Sequence, residues 1–395
     1  MLKTKVGYST HENSFISGEE TAKSTVSGLR NQKLGLLFTS SKSNVKEVVK
    51  GIKSTTDAPI IGCTSSGAIL VPDGIVQGER GFAGMMMFDD KDLTVGVASH
   101  SAGKNPRAIG RKVAIEAVKN AKTSRAPAYI YMVASPKEEE EYMMGIQDVV
   151  GRVPMFGGSA ADETINGDWK IICNENVISD GVAVAFFYTD SEMQNVFTGA
   201  YNETKNVGLI TEVKNDRTLV SIDGVSALKK YGHWISTPTK DLLGSNILVA
   251  SINKPLGVKD PLGNLTVVRH PMFANDMGTK SVEDDTINLG NKIVEGTAII
   301  QLEATTDELV KSTADTMKIL NKKMYEDPAG YLLVHCGGRK LGIGNRIEEV
   351  HRNIYKEAKG IPFITIFTFG EYGFEEHSSN ICGGLMLSFT AFGKK

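Results

Sequence analysis

Three short segments combine glycine with hydroxyl or acidic side chains, the mixture needed to wrap a small polar molecule: GCTSSGAI from Gly62, GGSAADE from Gly157 and FTFGEYG from Phe367. Gly62, Gly67, Gly157, Gly158, Gly370 and Gly373 allow backbone amides to approach a ligand. Ser65, Ser66, Ser159, Asp162 and Glu371 offer side-chain hydrogen bonds, with Cys63 and Thr64 beside them. A fourth segment, CGGRKLGIGNR from Cys336 to Arg346, follows an apolar strand and opens a helix. Amides at a helix start favour an anion, and Arg339 and Arg346 add forked donors for a carboxylate or phosphate. It is not a Walker A loop, because no GKS or GKT follows its glycines.

Covalent chemistry has weaker support. Cys63 and Cys336 sit at strand ends beside glycines, where a thiolate could attack a carbonyl, but neither has an identifiable base. His335 adjoins Cys336, yet successive strand residues point to opposite faces. GCTSSG and GGSAAD miss the spacing of a G-x-S-x-G elbow. Cys63, Cys173, Cys336 and Cys382 form no CxxC pair and no zinc-spaced cluster, so no metal site is expected. His11, His100, His233, His270, His335, His351 and His377 are scattered and no CxxCH attachment site exists. No cofactor is required, and a noncovalent haem stays open, since it needs only one axial His or Cys in an apolar pocket.

These residues are positioned by an arrangement that occurs three times: an apolar strand, a helix, a second strand opening with proline, and a later strand opening with glycine. The first copy holds LGLLFTS from Leu34, PIIGCTSSG from Pro59 and GFAGMMMF from Gly81. The second holds YIYMVAS from Tyr129, PMFGGSAAD from Pro154 and GVAVAFF from Gly181. The third holds YLLVHCGG from Tyr331, PFITIFTFGEYG from Pro362 and GGLMLSF from Gly383. Short strands alternating with helices mark β-α-β units, whose strand-end loops gather at one crevice.

The first connecting helix is expected to be capped by Ser43, the second to open at SPKE from Ser135, and the third to be capped by Asn345. Further helices are expected over 19–30, 106–122 and 307–324, the last led by a Thr305–Glu308 capping box. WKIICNENVISDG and RTLVSIDGV read as hairpins. Regular period is lost between 235 and 255. The expected fold is mixed α/β. Its two domains, 1–240 (units near 34–88 and 129–187) and 241–395 (unit near 331–389), are built from repeated β-α-β units with additional antiparallel hairpins.

The bulk numbers narrow the partners. Of 395 residues, 41% are hydrophobic and 23% charged, ordinary values for a globular chain with a sizeable core. Lys and Arg number 44 against 46 Asp and Glu, with no long basic run, which argues against nucleic acid. No stretch reaches the roughly 18 apolar residues of a membrane helix and no signal-peptide core opens the chain, so a cytoplasmic location is expected.

Read together, IIGCTSSGAI (60–69), MFGGSAADE (155–163), IDGVSALKKYGHW (222–234), HCGGR (335–339) and FTFGEYG (367–373) resemble the successive signatures of the FIST family. Asp223, Gly224, Ala227 and Tyr231 resemble the segment that ends its N-terminal domain. PLGV at 255–258 and VVRHP at 267–271 resemble the opening of its C-terminal domain, and Cys336, Arg339, Glu371, Gly373 and Asn380 match its closing motifs. SSNICGG and HPMFANDMGTKS depart from the pattern. The resemblance implies a sensory input module for small ligands such as amino acids, working with a histidine kinase, a chemotaxis receptor or a cyclic-dinucleotide enzyme; some members bind haem and sense nitric oxide.

The reading is therefore a sensor for a polar metabolite, with a haem sensor second and a cysteine-dependent enzyme third, and a homo-oligomer left open. The ligand residues expected are Ser159 and Asp162, then Arg339, Glu371 and Asn380, with Cys63, Thr64, Gly158 and Cys336 nearby. Arg339 would take a carboxylate, and Glu371 or Asp162 an amine.

Overall fold

The computed structural model describes residues 1–260, 265–275, 285–375 and 379–395. The first unit runs β1 (Lys3–Ser9), α1 (Ser14–Val26), β2 (Gln32–Thr39), α2 (Val45–Lys53), β3 (Ile60–Thr64), the hairpin β4 (Ile69–Val71) and β5 (Gly74–Val76), then β6 (Ala83–Asp89). The second repeats that order: β7 (Thr94–Ser101), α3 (Pro106–Ala121), β8 (Tyr129–Ala134), α4 (Glu139–Val150), β9 (Met155–Ser159), β10 (Ile171–Cys173), β11 (Asn176–Ile178) and β12 (Gly181–Tyr188).

The third begins with β13 (Met193–Thr198) and is then interrupted. The inserted segment holds β14 (Asn202–Lys214), β15 (Thr218–Ile222), β16 (Val225–Ser226), α5 (Ala227–Trp234), α6 (Asn246–Ser251), β17 (Leu256–Lys259), β18 (Thr266–Arg269), β19 (Pro271–Asn275), β20 (Thr286–Leu289) and β21 (Ala298–Glu303). The unit resumes as α7 (Thr306–Lys323), β22 (Pro328–Cys336), α8 (Gly337–Ile343), α9 (Ile347–Ala358), β23 (Phe363–Thr368), β24 (Glu371–Phe374), β25 (Asn380–Gly383) and β26 (Leu387–Gly393).

Within each unit two strands pair in parallel, β2 with β3, β8 with β9 and β22 with β23. The glycine-led strand pairs antiparallel to the first of them, as β6, β12 and β26. Each sheet is completed by a strand from another unit. β10 pairs with β3, β24 with β9 and β4 with β23, a closed cycle of exchange. The inner faces meet in one core, where Leu36 and Phe38, Tyr131 and Phe156, and Leu332 and Ile364 are buried together. The outer faces pack on helices, with Leu37 and Ile60 under α2, Ile130 and Met132 beside α3, and Leu333 and Phe363 beside α9. The fold is mixed α/β, and the inserted segment has its own core around Leu219, Tyr231 and Leu256.

The helix starts differ in detail from the periodicity. Asn44 caps α2 rather than Ser43, its Oδ1 accepting from Glu47 N, because Ser43 lies one residue outside the turn. α1 begins at Ser14, five residues before the expected Glu19, since Asn13 accepts from Ile16 N. SPKE forms the approach to α4, and Asn345 sits in a short 3-10 turn, 344–346, between α8 and α9. The Thr305–Glu308 box is present. The irregular stretch after 235 carries another 3-10 turn and α6. Residue 240 falls inside the inserted segment, where β14 pairs with β21 and β15 with β20 from the two sides of it.

In the first two units the helix pairs cross on glycine. A Cβ at Gly18 would lie 2.1 Å from Val48 O and one at Gly51 2.0 Å from Phe15 O; Gly110 and Gly145 stand equally close to Tyr142 O and Arg107 O, at 2.4 and 2.1 Å. Such backbone-to-backbone contact leaves no room for a methyl group. Gly51→Ala is expected to force α1 and α2 apart and cost about 1–3 kcal/mol, as overpacking does, measurable as a lower denaturation midpoint; Gly290→Ala, whose Cβ would meet Met272 Cγ at an ordinary 3.6 Å, is the comparison for a glycine outside the crossing.

Candidate functional site

The carboxyl ends of β3, β9 and β23 meet and are tied in a ring. Ser66 N donates to Phe367 O at 2.9 Å, Ala161 N to Thr64 O at 3.0 Å and Phe369 N to Ser159 O at 3.2 Å, so that every junction is bridged. Beside this ring opens a cleft of about 650 Å³. The first unit contributes Ser66, the second Glu163, the third Cys336 and Lys340, and the inserted segment Leu248 and His270. Four parts of the chain therefore enclose one volume, the placement expected of a ligand pocket.

Lys340 and Glu163 set its electrostatics. The Lys340 ammonium donates to Ser66 O at 3.0 Å and lies over the Phe367 ring, 5.3 Å from its centre. Burial holds it below the ordinary lysine range, opposed by the Glu163 carboxylate nearby. Gly67, in the left-handed region at φ 72°, brings the two together: a Cβ there would lie 3.0 Å from Lys340 Nζ and 3.7 Å from Glu163 Cγ. Glu163 is held from behind by the hydroxyls of Ser40 and Ser41. His270 Nε2 stands 3.1 Å from Leu248 O, and burial pushes its imidazole down to about 4, so it is neutral.

The chain matches the FIST N domain over residues 33–225 and the FIST C domain over 227–373. It belongs to the FIST family. A relative, Uncharacterized protein MJ1623 of Methanocaldococcus jannaschii, is 21% identical over 333 residues, which cover 80% of this FIST protein and 62% of that one. The chain thus spans less than two thirds of that relative's length. Two solved structures of cyanuric acid hydrolase, one of them from A. caulinodans, align over the full length of both chains at 8% and 7% identity, with TM-scores of 0.35 and 0.36.

Of the residues expected to bind, Cys336 lines the cleft of the FIST protein. The others surround it or lie away from it. Arg339 is fully buried, donating to Leu309 O at 3.0 Å, Ser312 Oγ at 2.6 Å and Leu385 O at 3.4 Å, so these donors are engaged within the third unit. Arg346 is spent on Glu349 and Asp307. Glu371 accepts from Thr368 Oγ1 and Met386 N, both at 2.9 Å, and burial pushes it up to about 8. Ser159 Oγ bonds to Glu139 at 2.8 Å and to the Tyr372 hydroxyl at 2.7 Å.

Asp162 turns inward to accept amides from 164 to 168, including Thr164, Gly167 and Asp168 at 2.9 Å. It thereby shapes the loop that carries Glu163. Asn380 is at the other end of β9, taking Met155 N at 2.9 Å and giving to Val153 O at 3.0 Å. Gly158 pairs with Glu371 across the exchanged strand; Cys63 is in the central core, and Thr64 Oγ1 accepts from Lys170 N at 2.9 Å. His377 and residues 276–281 of HPMFANDMGTKS lie outside the described residues.

The residues that sequence reasoning passed over are Lys340 and Glu163, each one position beyond a residue it chose. The helical turn of α8 decides which of Arg339 and Lys340 faces the cleft, and no spacing rule distinguishes two adjacent cations before the helix is placed. Glu163 had a signal, an acid directly following GSAAD.

Asp162→Ala removes the buried carboxylate that accepts the loop amides of 164–168, worth about 1.5–3 kcal/mol for a single charged bond. Amide hydrogen exchange over 164–168 is expected to rise by at least tenfold, while the strands of the central core keep their protection.

Proposed function

We propose that this FIST protein is a small-ligand-binding input module of a signalling system, and that its ligand is a polar metabolite bearing both charges, such as an amino acid, held in the cleft beside the strand-end ring. The observation that supports this most is the half-buried pair of Lys340 and Glu163, both close to Gly67 on the cleft wall, a cation for a carboxylate and an anion for an amine. The mechanism follows from where the walls come from. A ligand that touches the three units and the inserted segment together favours the arrangement in which they are closest, and only such differential affinity shifts a population.

Output then passes to a separate partner, a histidine kinase, chemotaxis receptor or cyclic-dinucleotide enzyme, in the cytoplasm. No helix among the described residues is long and apolar enough to cross a membrane. A haem is less well supported by the same cleft. His270 is the histidine on its wall, and an Nε2 facing the Leu248 carbonyl must carry a proton, so axial ligation through that nitrogen would break the bond.

A thermal-shift series with amino acids, dicarboxylates, nucleotides and haem tests the reading, because a ligand at about 100 times its Kd adds about 2.7 kcal/mol to the native state. An amino acid or related zwitterion is expected to raise the Tm of the wild type, and Lys340→Met is expected to abolish that rise while keeping the ligand-free Tm. A full rise in Lys340→Met overturns the assignment.

A further inference from the structure

Lys340 and Glu163 answer the two charges of a zwitterion, but most of the cleft wall is apolar. Ile75 of β5, Ile165, Met272 of β19, Leu341 of α8, Ile347 of α9 and Phe369 all line it, so that the three units and the inserted segment each contribute. Leu341 is 55% and Ile165 50% exposed, and the other four are half-buried. Single exposed aliphatic residues are ordinary on a protein surface; their convergence on one concave volume is not. Among the described lining residues the other carboxylate, Glu348, is exposed in the first turn of α9, and His270 is neutral.

Ile165 is held there against its own preference. Its φ of 61° lies in the left-handed region, where a branched Cβ crowds the backbone. The Asp162 carboxylate fixes the turn in that shape by accepting the amides of Thr164, Ile165, Asn166, Gly167 and Asp168. An asparagine would occupy this position with less strain, so the turn itself does not call for isoleucine. What the isoleucine supplies is apolar surface on the cleft wall. Phe369 is fixed in a different way, backed by the Trp169 ring, which meets it edge-on with centres 6.2 Å apart.

From this geometry we infer that the amino acid recognised in the cleft is one with a large apolar side chain, such as leucine, methionine or phenylalanine, its carboxylate at Lys340, its amine at Glu163 and its side chain against Ile165, Leu341 and Phe369. The inference rests on the cleft being the ligand site. Lys340 and Glu163 both come close to Gly67, as the two charges borne on one α-carbon require. Leu341 follows Lys340 directly and Ile165 stands two residues after Glu163, so each charged residue has an aliphatic neighbour on its own segment. The volume of about 650 Å³ admits side chains of this size. A serine or aspartate side chain in the same place would leave the aliphatic wall facing water.

Removing that wall from water favours the larger side chain by roughly fourfold in affinity for each buried methylene. The test is calorimetric titration of the intact chain at neutral pH with alanine, serine, aspartate, leucine, methionine and phenylalanine. Leucine, methionine and phenylalanine are expected to bind about tenfold or more tightly than the other three. Ile165→Asn and Leu341→Ser are each expected to weaken leucine and phenylalanine about fivefold or more and to leave alanine within about twofold. Ile165→Asn relieves the backbone strain, so its ligand-free Tm is expected to hold or rise.

Hydrocinnamate, which is phenylalanine without its amine, is expected to bind about tenfold or more weakly than phenylalanine, as loss of the contact with Glu163 requires. Equal affinity for small and large side chains, a preference for serine or aspartate, or a preference for leucine and phenylalanine that survives in both variants overturns the apolar assignment. Should Lys340→Met still abolish binding in that case, the cleft reading stands without it. Hydrocinnamate binding as tightly as phenylalanine removes Glu163 from the site and overturns the assignment as well. A lower ligand-free Tm in Ile165→Asn makes its loss of preference structural, and Leu341→Ser then decides. If none of the six amino acids binds the wild type, the cleft reading fails and the assignment fails with it.

Discussion

The structure depends on an exchange of strands around a closed cycle. No unit completes its own sheet: β3 is covered by β10, β9 by β24 and β23 by β4, and each of those strands follows the loop that leaves the strand end of its own unit. Unpaired strand edges are costly to bury, so each unit depends on the next for backbone hydrogen bonds as well as for its share of the common core. The ring of amide-to-carbonyl bonds at 66, 161 and 369 is the point where the three crossings occur. Glycine and small hydroxyl residues recur there because three chains pass each other closely, and the same crowding leaves polar side chains next to a cleft.

That cleft would be an open surface without the inserted segment, which replaces the simple link between β13 and α7. It is pinned against the second unit by charge. Arg217 reaches Glu139 at 3.0 Å and Glu140 at 2.7 Å, and Lys292 reaches Glu141 at 2.9 Å, all from the first turn of α4. Glu139 is fully buried and pushed up to about 7 by burial, with Arg217 opposing the shift and Ser159 bonded to its other oxygen. The residue that sequence reasoning placed in the ligand site thus belongs to the junction that holds the fourth wall in position. The ring beside the cleft and the anchoring of the segment therefore share neighbouring residues, Ser159 and Glu139 among them.

Burial also divides similar side chains between different tasks. Arg339 and Lys340 are adjacent cations; one is enclosed among backbone carbonyls and the other faces the cleft. Cys63 and Cys336 both follow apolar strands beside glycine, yet one lies in the central core and the other lines the pocket. In both pairs the chemistry available depends on which side chain keeps contact with a ligand-sized space.

The sequence by itself determined much of the scaffold. Alternating apolar strands and helices announced the three units, the capping box at Thr305 located α7, and the ordered short motifs named the family. It also pointed to the strand-end loops that meet beside the cleft, because glycine beside Ser, Thr and Asp is a local signal. What it could not contain was the cyclic exchange, since pairing β10 with β3 or β4 with β23 joins residues more than a hundred positions apart and leaves no periodic trace. Nor could it show that Asp162 and Asn380 would turn to backbone partners, that Lys340 and Glu163 would both come close to Gly67, or that Glu371 would be taken by Thr368 and Met386. Those outcomes depend on which face of each element is covered by another, and only the closing of the three sheets around one core decides that.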